Sequence, residues 1–129
     1  MKPEIREPVV ERDSIRAVVF VEDGTVDCRL SFLYGPASDY ILIYLKMTDV
    51  PAAVHAYDAF NSLFKPRAFE MQGIRKISRV EYASGQRYIR SILEANWKIS
   101  KEQFKNLLED IRQNLGENWY TVFSRITIA

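Results

Sequence analysis

The amino-acid sequence predicts an α+β domain. It should hold an antiparallel sheet with helices packed on one face, in the order β-β-β-α-β-β-α, with a possible extra strand at the C-terminus. Three observations carry this expectation. Runs rich in β-branched and aromatic residues flank turn signals in the first half of the chain. One amphipathic helix with both ends marked stands near the close. The chain has 129 residues, with hydrophobic residues at 47% and charged residues at 27%, enough apolar material for one core without disulfides or metals.

Residues 1–13 contain Pro3, Pro8 and charges of both signs, and read as an irregular N-terminal arm before a single domain over 14–129. The next segment, SIRAVVFVEDGTVDCRLSFLYG, is two strands about Asp23-Gly24, a pair that tolerates hairpin turns. In its second run Val26, Cys28, Leu30 and Phe32 alternate with Asp27, Arg29 and Ser31, which places one face on the core. After the turn Gly35-Pro36-Ala37-Ser38-Asp39, YILIYLKM is apolar at nearly every position, as in a central strand covered on both faces.

Asp49 can cap a helix with Pro51 in its first turn, and Ala53, Val54, Tyr57, Phe60, Leu63 and Phe64 recur at helical spacing until Pro66. The segment RYIRSILEANW fits either a strand or a helix. Ser84-Gly85-Gln86 before it, and the β-branched GIRKISRVEYA before that, favour a hairpin. Ser100-Lys101-Glu102-Gln103 is a capping box. It opens a helix with the stripe Phe104, Leu107, Leu108, Ile111 and Leu115, and Gly116 sits at the cap position beyond. The last run, WYTVFSRITI, suits a strand or a second helical stretch. Trp97 and Trp119 stand at the two ends of the capped helix, where large aromatics staple a helix to a sheet.

Function is approached by exclusion. The lone cysteine, Cys28, forms no disulfide within the chain and fits a reducing compartment. The charged start has no apolar run and does not look like a leader, and no stretch nears the roughly 20 apolar residues of a membrane span. The expectation is a cytoplasmic protein without a membrane role. His55 is the only histidine, with Asp58 three residues on, and this is too few donors for a metal. No nucleophile elbow, Walker loop, dinucleotide fingerprint or zinc-protease motif occurs. No enzyme, cofactor or metal is therefore expected.

Charge is distributed unevenly. Net charge is +1, yet between Lys65 and Arg90 seven basic residues (Lys65, Arg67, Arg75, Lys76, Arg79, Arg87, Arg90) stand against Glu70 and Glu81. Such a segment suits an anionic partner or is the solvated face of a strand. Tyr82, Tyr88 and Trp97 interleave with its arginines, so nucleic-acid binding through residues 65–90 is the alternative function. The leading expectation is a non-enzymatic polypeptide-binding module. Seven Phe, seven Tyr and two Trp exceed what a small sheet must bury, which favours a homodimer or a groove for a partner. Candidate contacts are Arg75, Lys76, Arg79, Arg87 and Arg90 on the hairpin, and Trp119, Tyr120 and Phe123 near the C-terminus.

The strand pair VDCRLSFLYG and YILIYLKM, the helix PAAVHAYDAF, the basic hairpin, and then ISKEQFKNLLEDI and NWYTVF together resemble the YbjN family. The resemblance spans about Val18 to Phe123, including Ser100, Glu102, Gln103, Phe104, Trp119 and Tyr120. It implies the fold of the type III secretion chaperones. The function it implies is that of a small dimeric, chaperone-like or regulatory protein that binds a polypeptide and has no catalytic residues or cofactor.

Overall fold

A computed structural model describes residues 2–65 and 70–128. Pro66, expected to end the first helix, and Arg67 of the basic segment lie outside the described residues. The strands are β1 (Glu4–Glu11), β2 (Ser14–Val21), β3 (Gly24–Leu33), β4 (Tyr40–Thr48), β5 (Glu70–Ala83) and β6 (Gln86–Ser100). The helices are α1 (Ala53–Phe64), α2 (Lys101–Leu115) and α3 (Glu117–Phe123). The strands form one antiparallel sheet in the order β1-β2-β3-β4-β6-β5. The expected α+β class holds.

The N-terminal segment departs from expectation. It is not an irregular arm but an edge strand, paired from Glu4↔Phe20 to Glu11↔Ser14 with a bulge between Arg6 and Val9. Pro8 and a positive φ at Glu7 fall in that bulge. Proline, charge and a bulge are the devices that protect an edge from further pairing, and they also mask a strand in sequence. Ile5 is buried, and the backbone carbonyl of Pro3 accepts a hydrogen bond from the indole of Trp119 at 2.8 Å.

Turn chemistry sets the hairpins. Strands β2 and β3 close at Val21↔Gly24, leaving Glu22-Asp23 as the loop. Strands β5 and β6 close at Ala83↔Gln86 around Ser84-Gly85, both with positive φ, as a two-residue hairpin of matching twist requires. The strand reading of RYIRSILEANW was therefore the right one of the two.

Strand β4 corrects a second expectation. Ile41, Ile43, Leu45 and Met47 are fully buried under the helices, but Tyr40 and Leu42 on the opposite face are exposed. The helices cover one face only, because α1, α2 and α3 all return to the same side. The other face is open.

The core is aromatic at its centre. Phe32 meets Phe104 and Phe123 edge-on, with centroids 5.4 and 5.9 Å away. Trp97 on β6 contacts Phe64 at 5.1 Å and stacks on Tyr57, and its indole donates to Asn61 at 3.1 Å. On α1, Ala53, Ala56, Phe60, Leu63 and Phe64 face the sheet, while Val54, expected in that stripe, is exposed. The α1 start also differs. Ala52 stands at the cap with no side-chain bond, and Asp49 turns instead to the base of the β5–β6 hairpin.

The capping box at α2 is present in both directions: Gln103 N–H donates to Ser100 Oγ and Ser100 N–H donates to Gln103 Oε1, each at 2.9 Å. Gly116 ends α2 with φ of 105°. Leu107 and Ile111 are wholly buried, whereas Leu108 lies only partly buried on the flank, so Leu107 is the residue whose truncation opens a cavity. The C-terminal run forms no strand. Trp119, Val122 and Phe123, at i, i+3 and i+4, drive its first part into α3 with all three buried.

Candidate functional site

Beyond the pair Thr48↔Ile92, strands β5 and β6 leave the sheet and pair only with each other. The resulting two-stranded arm, from about Ile77 through the turn to Ser91, carries no helix on either side among the described residues. Every residue from Tyr82 to Arg90 is exposed. Pairing and pleat divide its side chains. Arg75, Ile77, Arg79 and Glu81 share the helix-free side with Tyr88 and Arg90. Lys76, Val80 and Tyr82 share the opposite side with Arg87 and Ile89. Val80 and Ile89 are directly opposed, with Tyr82 next along, and Tyr82 and Ile89 are 73% and 66% exposed.

The five basic candidates of this hairpin therefore do not form one surface, and three are engaged within the chain. Arg75 pairs with Glu94 at 3.0 Å, Lys76 with Asp49 at 2.9 Å and Arg90 with Glu81 at 3.6 Å. Arg79 and Arg87 have no ion pair among the described residues. Trp119 and Phe123, candidates for a partner or a dimer seam, are enclosed in the core of their own chain. Trp119 packs on Phe60 at 5.5 Å. Tyr120 is half-buried beneath Arg112, whose guanidinium lies 3.7 Å from the ring centroid. The stacking set proposed for nucleic acid also breaks up, because Trp97 is core and only Tyr82 and Tyr88 remain exposed. Val80 and Ile89 are not distinguishable as surface residues from the sequence, since their alternation along the strands reads equally well as a core face.

The base of the arm is tied down. Asp49 accepts a hydrogen bond from Ser91 Oγ at 2.9 Å and pairs with Lys76, and both hold its carboxyl below the usual aspartate range. A depressed carboxylate contributes stability above its unfolded pKa of about 3.9, and loses it as pH falls through the folded value. Asp49→Asn should therefore be less stable than the wild type near neutral pH. Denaturation midpoints of the two proteins should converge below about pH 4, and a constant difference across that range would remove this role.

Cys28 and His55, the two groups weighed for chemistry, have different surroundings. Cys28 is buried, and burial together with the Asp27 charge pushes its thiol up to about 12. A thiol so protonated is a poor nucleophile. Iodoacetamide should leave Cys28 unmodified in the folded protein and alkylate it once denaturant is added, as read by mass spectrometry. His55 forms its ion pair through Nε2 with Asp23 of the β2–β3 turn rather than with Asp58. Among the described residues no group of three metal-ligating side chains converges, and no helix is long and apolar enough to cross a membrane. Comparison of the chain with protein-family models, with characterised proteins and with solved structures gives no match.

Proposed function

We propose that this chain is a non-enzymatic polypeptide-binding module, chaperone-like or regulatory, that works in the cytoplasm as a homodimer and binds through its β5–β6 arm. The observation that carries the reading is the exposed apolar row Val80, Tyr82 and Ile89 on a ribbon against which nothing packs among the described residues. An isolated two-stranded ribbon is marginal in water, and an apolar row on it gains stability only when something covers it. A second feature agrees. The two sheet edges differ: β1 is short and carries Pro8 in its bulge, whereas β5 runs for 14 residues without proline and has its bulge near its start, between Gln72 and Arg75. Its outer edge suits an added strand, with apolar and basic side chains alternating beside the new backbone. The resemblance to the YbjN family points the same way.

Nucleic acid is the less supported alternative, because Trp97 leaves the stacking set and Arg75, Lys76 and Arg90 are held in ion pairs. The test is site-specific. A photo-reactive phenylalanine analogue replacing Tyr82 should yield a covalent polypeptide adduct on illumination in the native cell, and the same analogue at exposed Val54 on α1 should not. Equal adducts at both positions, or nucleic acid in place of polypeptide, would contradict the reading.

A further inference from the structure

The helix-free face of the sheet holds a feature that the arm's apolar row does not explain. Register places Arg16 directly opposite Arg29, and Arg29 directly opposite Lys46, so three cations stand side by side across β2, β3 and β4. On the arm, Arg79 is directly opposite Arg90 on the same face. Like charges at directly paired positions destabilise a sheet. All five line one open groove of about 510 Å³, with Glu7 and Asp27 as its only acidic lining residues among those described.

Internal compensation is incomplete. Glu11 approaches Arg16 and Arg29, but at 4.0 Å from each, the outer limit of an ion pair. Lys46 faces Glu94 across β4 and β6, yet that carboxylate already accepts a hydrogen bond from Arg75 at 3.0 Å. Lys46 and Arg79 form no ion pair among the described residues. Arg90 lies 3.6 Å from Glu81, a loose pairing that compensates its charge only in part. A fold that sets cations edge to edge with only partial neutralisation is placed to gain from an anion that bridges them.

We propose that this groove binds a small, compact polyanion of the di- or triphosphate class, held between the Arg16–Arg29–Lys46 row and the Arg79–Arg90 pair. Three considerations select this chemistry. The groove volume lies within the ~300–1,000 Å³ of small-ligand sites. Neighbouring strands lie about 4.8 Å apart, whereas same-face carboxylates on an extended peptide recur only about every 6.7 Å. A phosphate chain matches the denser row of cations better. Four of the five cations are arginines, whose planar forks bind phosphate oxygens in pairs. No aromatic residue lines the groove among those described, so the site offers phosphate contacts without a platform for stacking a base.

The groove uses the face of the arm opposite to Val80, Tyr82 and Ile89, and Arg29 and Lys46 lie on the body of the sheet, so substituting those two leaves the apolar row intact. Its test uses tripolyphosphate and the full chain. Tripolyphosphate should raise the melting temperature of the wild type saturably, with affinity falling as salt rises. Arg29→Gln together with Lys46→Met should weaken binding by on the order of tenfold or more per cation removed. The same double variant, without ligand, should melt at or above the wild-type temperature, because a repulsion has been removed. Three results would overturn the proposal. One is no melting shift with tripolyphosphate, and another is an equal shift in the double variant. The third is tighter binding of an oligoglutamate peptide or a single-stranded oligonucleotide than of tripolyphosphate. A ligand-free double variant that melts well below the wild type would also count against it, since the cations would then be structural.

Discussion

Trp97→Ala is expected to lower folding stability by about 3–5 kcal/mol, the usual cost of removing a buried tryptophan. The residue is 1% exposed at the centre of β6, directly opposite Ile43. Its ring fills the space between Phe64 and Tyr57, so both lose contacts when it is removed. Asn61 loses a hydrogen-bond donor at the same time. Partial relaxation cannot close the gap, because α1 is anchored on either side of it by Ala53, Ala56 and Phe64, which are wholly buried. Denaturant unfolding followed by circular dichroism measures the loss. A value below about 1 kcal/mol would mean that the sheet–helix interface is not where the structure puts it.

Tyr82→Asp combined with Ile89→Asp should have the opposite profile. Both side chains are exposed in the single chain, and substitutions at such positions usually change stability by no more than about 0.5 kcal/mol. As part of an interface they become central. Burying an aspartate among apolar groups without a partner is costly, and hot-spot losses of about 2 kcal/mol or more correspond to an affinity drop of roughly thirtyfold. The variant should fold as the wild type does and bind far more weakly. This separation of stability from binding distinguishes an interface from an ordinary solvated strand.

The sequence shows the strongly local features and hides those that depend on register. The strands β2, β3 and β4, the hairpin turn at Ser84-Gly85-Gln86 and the capping box at Ser100 and Gln103 are each specified by adjacent residues, and each stands in the structure, with Gln86 already paired to Ala83. Strand β1 was hidden because Pro8 and its charges, which protect an edge, look from the sequence like disorder. The open face of β4 was hidden because YILIYLKM alone does not say how many helices will return to each side. Trp119 reads from the sequence both as a staple for the capped helix and as a partner contact, and its burial against Phe60 agrees with the first. Phe123 reads as a partner contact because the short helix that turns it inward has no polar cap of its own. Arg16, Arg29 and Lys46 are far apart in the chain, so only strand pairing reveals that they are neighbours. The hairpin arginines were legible as a group, but the pleat separates them into two faces.

Sedimentation velocity of the purified chain at tens of micromolar tests the central claim most directly, because the arm is proposed to find a second copy even when no other polypeptide is present. The account predicts a dimer for the wild type, and a monomer with unchanged secondary structure for the variant carrying Tyr82→Asp and Ile89→Asp. A wild-type monomer at that concentration, or a dimer that persists in the variant, would contradict it.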